Sequence, residues 1–167
     1  MSRSNFVIAV YVENKYGVLT RVTSMFTRRG FNIDSLTVGE TEDPDYSRIT
    51  ISLSGEKSDR IQLVSQLKKL YNVRKVVEIT PDAGIKRELL LIKIKTVPET
   101  RSEIRDITEV FKAKIIDYSA GAMCIEITGD SNKIDAFIDN VKPFGIIEMC
   151  RTGIVALERG PESMLEK

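Results

Sequence analysis

Apolar positions along the chain follow two periods in a fixed order, and that order occurs twice. Residues 6–12 (Phe-Val-Ile-Ala-Val-Tyr-Val) are apolar on both faces of an extended segment and rich in β-formers, which predicts a strand inside a sheet rather than at its rim. Over residues 18–29, Leu19, Val22, Met25 and Phe26 recur at helical spacing with Thr20, Arg21, Thr27 and Arg28 opposite, and Gly30 stands where a left-handed cap would end a helix. Residues 32–39 read as a strand of mixed polarity, and Asp43-Pro44-Asp45 turns the chain into residues 47–53, where Ile49, Ile51 and Leu53 alternate with Arg48, Thr50 and Ser52. Ser58 is placed to cap a second helix with Ile61, Val64, Leu67 and Leu70 along one side, and residues 73–79 supply a short strand.

The second half repeats the sequence of elements. Residues 87–95 carry Leu90, Ile92 and Ile94 on one face, and Thr100-Arg101-Ser102-Glu103 matches a capping box opening a helix with Ile104, Ile107, Val110 and Phe111 inward. Residues 114–118 and 122–128 form a hairpin around Ser119-Ala120-Gly121 with Met123, Ile125 and Ile127 facing in. Ser131 caps a helix bearing Ile134, Phe137, Ile138 and Val141, and residues 146–157 make a long last strand. The class is therefore α+β, with two ferredoxin-like βαββαβ domains in tandem, each laying two helices on one face of a four-stranded antiparallel sheet. The predicted boundaries are 1–80 for the first domain, 81–86 for a linker marked by Pro81-Asp82-Ala83-Gly84, 87–160 for the second domain and 161–167 for a polar tail.

Charge and composition narrow the chemistry. The 25 basic and 24 acidic residues nearly cancel, so no global field draws the chain to nucleic acid or an anionic membrane. The chain has no histidine, which removes the commonest general base near neutral pH and the usual metal ligand. Cys124 and Cys150 lie in apolar, strand-like runs without CxxC spacing and read as reduced sheet residues. Met1-Ser2-Arg3-Ser4-Asn5 leads straight into a strand, without an apolar run of signal-peptide or membrane-span length, so a cytoplasmic protein is expected.

The first strand-to-helix corner is the candidate ligand site. It reads Asn14-Lys15-Tyr16-Gly17-Val18-Leu19, where Gly17 permits close backbone approach and the amides of a helix start suit a carboxylate. Asn14 and Gly17 are equally ordinary formers of a tight turn. The corresponding corner of the second half, Thr96-Val97-Pro98-Glu99-Thr100, has a proline, an acid and no glycine, and the return to the second strand also differs, Gly30-Phe31-Asn32-Ile33 against Lys112-Ala113-Lys114-Ile115. A site generic to the fold would appear in both halves; here only the first offers open backbone to an anion. Glu40, Glu42, Asp43 and Asp45 form an acidic turn that serves either as a weak divalent-cation site or as a solvated loop.

Three spaced runs carry a family resemblance: Glu13-Asn14-x-x-Gly17-x-Leu19-x-Arg21-Val22; Arg29-Gly30-x-Asn32-Ile33-x-Ser35-Leu36-Thr37-Val38; and Thr41-x-Asp43-Pro44-x-x-Ser47-Arg48-x-Thr50-Ile51. They resemble the small, regulatory subunit of acetolactate synthase (acetohydroxyacid synthase). In the second half, Arg87-Glu88-Leu89, Phe111-x-x-x-Ile115-Ile116-Asp117, Gly129-x-x-x-Lys133-x-Asp135-x-Phe137 and Arg151-Thr152-Gly153 resemble it too. The resemblance implies an ACT domain in the first half and a chain with no catalysis and no cofactor of its own. Its partner would be a large catalytic subunit carrying thiamine diphosphate, Mg and FAD, which the small subunit activates and places under feedback inhibition by valine in branched-chain amino acid biosynthesis. ACT domains of this type pair edge to edge, with the effector between the first loop of one protomer and the second-strand entry of the other. That implies an effector site of Asn14, Lys15, Tyr16, Gly17, Val18, Leu19, Asn32 and Ile33, a homodimer edge of Ser35, Leu36, Thr37 and Val38, and no metal. Amides around Tyr16, Gly17 and Val18 would take the carboxylate, Asn14 and Asn32 would hold polar atoms, and Leu19 and Ile33 would serve as apolar walls or simply as core. The choice among valine, leucine and isoleucine stays open.

Other classes fit less well. An RNA-binding sheet would display stacking aromatics, and Ile49-Thr50-Ile51-Ser52-Leu53 has none. An independent enzyme would have to work without histidine or a GxxxxGK loop. A free-standing ACT-type sensor acting on another enzyme is the nearest alternative. Lys133, Arg151 and Arg159 read as solvated surface.

Overall fold

The computed structural model describes residues 4–80 and 84–165. The described residues fall into two compact units, one running to Ile85 and resuming at Gly153, the other Lys86–Thr152.

In the first unit β1 (Ser4–Glu13), β2 (Ile33–Glu40), β3 (Tyr46–Gly55) and β4 (Val73–Ile79) form an antiparallel sheet in the order β2-β3-β1-β4. Helices α1 (Val18–Arg28) and α2 (Lys57–Leu67) cover one face. Phe6, Ile8, Val10 and Val12 of β1 and Ile49, Ile51 and Leu53 of β3 meet Val22, Met25, Phe26, Leu63 and Leu67 from the helices in one core. Pairing is direct, with Ile8 opposite Ile51 and Val10 opposite Ile49, so the two-residue period of each strand puts its larger aliphatic set on the helix side. α1 stops in a Schellman turn: Phe31 N–H donates to Phe26 O at 3.1 Å, Gly30 N–H to Thr27 O at 3.2 Å, and Gly30 takes φ 70°.

The other face of β1 explains its double apolarity. Val7, Ala9 and Tyr11, with Ile79 of β4, lie under Ala156 and Met164 from the C-terminal segment, with Tyr46, Val77 and Ile154 packed beside them. The expected continuous strand over residues 146–157 is in fact two, β8 (Ile146–Arg151) and β9 (Val155–Glu158), parted at Thr152, Gly153 and Ile154. The described residues from Gly153 onward pack with the first unit. The expected polar tail is also anchored: Met164 is 8% exposed, since the sheet face beneath it is apolar. Residues 81–83 of the expected linker and 166–167 of the tail lie outside the described residues, and Gly84 to Lys86 already belong to β5.

The second unit repeats the plan with β5 (Gly84–Lys95), α3 (Arg101–Val110), β6 (Lys114–Tyr118), β7 (Ala122–Gly129), α4 (Ser131–Val141) and β8, in the order β6-β7-β5-β8. Leu90, Ile92 and Ile94 pack with Ile104, Met123, Ile125, Ile127, Ile134, Phe137 and Val141. Helix starts depart from the sequence reading in three places. Glu56 rather than Ser58 caps α2, in a capping box with Asp59, and Asp130 rather than Ser131 caps α4 by accepting from Lys133 N–H at 2.9 Å. Thr100 sits in helical backbone, so its hydroxyl turns back to Val97 O at 3.2 Å and no capping box closes. Two stripe positions face water, Ile61 at 61% and Val110 at 78% exposure; Leu63 and Thr108 take the inward places.

Candidate functional site

The first corner is built on a left-handed glycine. Gly17 is the N-cap of α1 with φ 76° and ψ −4°, a conformation in which a Cβ is strained, and open space surrounds the position a Cβ would take. No side chain caps the helix. Val18 N–H donates to Lys15 O at 3.3 Å, and the geometry of a helix start leaves the next amides, Leu19 and Thr20, without intrahelical acceptors. An open hollow of about 560 Å³ lies over Asn14, Lys15 and Tyr16, and another of about 700 Å³ runs along Gly17, Thr20, Arg21, Ser24, Thr27 and Arg28. Tyr16 is fully exposed, Leu19 is partly so, and Val18 turns into the core.

The loop is pinned from below and from the side. Glu13 accepts from Asn72 Nδ2 at 2.7 Å and pairs with Lys15 at 3.2 Å and Arg74 at 3.6 Å. The Asn72 hydrogen bond foremost, then those cations, holds its carboxyl below the usual glutamate range. Asn14 donates through Nδ2 to Glu40 Oε1 at 3.3 Å and to Pro44 O at 3.0 Å, so its amide nitrogen is engaged within the chain and its carbonyl oxygen is the atom left for a ligand.

Asn32 and Ile33 are elsewhere. They follow α1, whose 11 residues at about 1.5 Å rise put roughly 16 Å between its ends. Asn32 is exposed and donates to Asp34 Oδ1 at 3.4 Å; Ile33 packs partly against the core. Within one chain the expected site residues thus form two clusters, 14–19 and 32–33, at opposite ends of a helix. Ser35, Leu36, Thr37 and Val38 lie on β2, which is a rim strand of the sheet. Among the described residues no group of three or more acidic or cysteine side chains is arranged to hold a metal ion, the turn at Glu40 to Asp45 included, and no helix is long and apolar enough to cross a membrane.

The family model described as the AHAS small subunit-like ACT domain matches residues 8–75, and the model described as the small subunit of acetolactate synthase matches residues 87–160. A probable acetolactate synthase small subunit of Archaeoglobus fulgidus is 51% identical over 153 residues, covering 92% of this chain and 96% of that protein. The chain belongs to the acetolactate synthase small subunit family. The Bacillus subtilis acetolactate synthase small subunit is 46% identical over 158 residues, with 93% and 91% coverage. A crystal structure of the small subunit from Thermotoga maritima superposes with a TM-score of 0.89 at 40% identity, over 95% of this chain and 99% of that one. This member of the family is accordingly a regulatory subunit with two ferredoxin-like domains.

Several family-like positions of the second half form one network. Glu88, 6% exposed, accepts from the Ser131 hydroxyl and from Arg151 Nε, and Arg151 Nη1 also donates to Asp135 at 2.6 Å. Burial pulls the Arg151 guanidinium down, and the bonds and charges of Glu88 and Asp135 outweigh it and raise its pKa. Arg151 is therefore a partner of a buried carboxylate, not free surface, and Lys133 likewise spends its ammonium on Thr128 O at 3.0 Å. The pattern missed one further feature of the first unit. Arg48 of β3 donates to Ala156 O at 2.7 Å and Met164 Sδ at 3.1 Å and borders a hollow of about 450 Å³ shared with Tyr11, Glu42 and Leu157. The two apolar faces of β1 were the available sign that something must lie there.

Proposed function

We propose that this regulatory subunit acts as a homodimer whose ACT domains bind valine at two composite sites, and that binding there inhibits a thiamine-diphosphate-dependent catalytic subunit that the dimer otherwise activates. The observation that carries the reading is the opposite placement of the two clusters along β2. Asn32 and Ile33 stand at its start, and Glu40, bonded to Asn14, stands at its end. If two copies pair antiparallel through β2 about a twofold axis, the start of one β2 falls opposite the end of the other. Each loop at residues 14–19 then meets the partner's second-strand entry, and neither cluster has to cross the length of α1. Pairing also satisfies the unpaired rim of β2.

In such a site the amides at the start of α1 receive the α-carboxylate, with the helix dipole adding to the attraction. Asn14 offers its carbonyl oxygen to the ammonium group, Asn32 supplies a second polar contact, and Leu19 with Ile33 walls the side chain. Inhibition requires that valine favour one arrangement of the pair over another, and a coupling of about 1–3 kcal/mol is sufficient.

The test mixes purified small and large subunits and measures acetolactate formation with and without valine, leucine and isoleucine. Activation in their absence and inhibition by valine are the expected outcome. An unresponsive complex overturns the valine assignment, and a chain that neither binds nor stimulates a large subunit favours a free-standing sensor.

A further inference from the structure

We propose that residues 153–165 are a strap whose seating on β2 transmits the effector signal. The inference rests on the valine reading above, and the strap lies on the sheet face opposite α1 and α2. Ser35 and Thr37 of β2 share that face with Thr50 and Ser52 of β3 and with Val7 and Ala9 of β1, as the register Ser35–Ser52–Val7 and Thr37–Thr50–Ala9 requires. Gly153 approaches β2 so closely that an added Cβ would stand 2.5 Å from Thr37 Oγ1 and 2.9 Å from both the carbonyl carbon and oxygen of Leu36. Backbone cannot yield as a long side chain does, so only glycine can sit there. One residue on, Ile154 N–H donates to Ser35 Oγ at 3.3 Å, and Ser35 Oγ is joined to Ser52 Oγ at 2.6 Å. Farther along, Arg48 grips Ala156 O and Met164 Sδ, and Ala156 and Met164 cover the apolar half of the face.

The strap therefore reads the position of the strand that the proposed dimer would pair through. Thr152, the residue before it, exchanges two hydrogen bonds with Leu89 of β5 at 3.0 Å, one through its amide and one through its hydroxyl. A displacement of Leu36 and Thr37 must either lift Gly153 off β2 or pull on Thr152 across a peptide link of fixed length. The second response reaches Thr152, and with it the second domain, through the chain itself, and the seated and lifted strap are the two states that the proposed coupling uses.

The experiment uses the full-length protein reconstituted with its large subunit. Gly153→Ala should unseat the strap, raising the valine IC50 by about tenfold or more while the Kd of the small subunit for valine, from calorimetry, stays within about threefold. Wild-type inhibition in the variant overturns the proposal, and a Kd that rises in step with the IC50 overturns it as well by making the strap part of the binding site. Arg48→Gln, which frees the far end of the strap, should weaken inhibition in the same direction. Should both variants fail to fold, hydrogen exchange on the wild-type protein decides: valine should change protection at Ile154 and Ala156, and unchanged protection overturns the strap. A wild-type protein that takes up no valine overturns the effector reading itself, and the strap with it.

Discussion

Asn14 is bonded to Glu40, so the loop that opens α1 is tied to the far end of the rim strand rather than to its beginning. Under the antiparallel pairing proposed above, this bond sets each loop beside the partner's strand entry, and the proposed composite site is open to a complementation test. Gly17→Asp and Asn32→Ala should each abolish most valine binding alone. Mixed dimers of the two should regain one intact site, formed by the unaltered loop of the Asn32 variant and the unaltered strand entry of the Gly17 variant. Calorimetry on a refolded mixture checks this; no recovery means that loop and strand entry of different copies do not cooperate.

Gly17→Asp should also cost stability, because a side chain at φ 76° pays about 1 kcal/mol of backbone strain even with open space around it. Its effect on valine affinity should be larger, a loss of about tenfold or more, equivalent to about 1.4 kcal/mol, as the new carboxylate repels that of the ligand. Comparing urea midpoints with calorimetric Kd values separates the two.

In the second domain, Arg151→Met should strand the buried Glu88 carboxylate and destabilise by about 2–3 kcal/mol, reduced from the value for a fully buried pair because the arginine is partly exposed. Asp135→Asn, at a solvent-exposed partner, should cost about 1 kcal/mol or less. Urea denaturation of both variants gives the ranking.

Met164→Ala should lower stability by about 2 kcal/mol, since it empties a buried place over Ala9, Tyr11 and Ile79. A free polar tail would show no change in the same thermal melt.

Acid should expose the role of Glu13. Its carboxyl is held below the ordinary range by Asn72 and its cations, so the unfolded chain binds a proton more readily than the folded one. The stabilisation is fully present above the unfolded value and is lost as pH falls through the lower, folded value. Glu13→Gln should flatten this acid limb in a series of melts from neutral pH down to about pH 3.

Element order, both sheets and the stop at Gly30 were legible because apolar period and turn residues agree there. The helix starts were not. Ser58 and Ser131 stood near the right places, but Glu56 and Asp130, one or two residues earlier and in extended backbone, had the geometry to accept from the first turn. The C-terminal segment was hidden by its own composition: the run Glu158-Arg159-Gly160-Pro161-Glu162-Ser163 is polar, and the buried Met164 that follows it is a single apolar position with no period to announce it. At the first corner, spacing identified Gly17 and Asn14 as special. It could not show that Asn14 already spends its amide nitrogen on Glu40 and Pro44, nor that α1 holds Asn32 far from it in the same chain.

The covering of β1 from behind has a practical corollary for anyone dissecting this chain. A fragment ending near residue 80 would retain all four strands and both helices of the first sheet, yet it would turn Val7, Ala9, Tyr11 and Ile79 to solvent. Such a greasy plane invites self-association, so the isolated fragment should precipitate or stack where the intact polypeptide, bringing its own lid from the opposite terminus, does not.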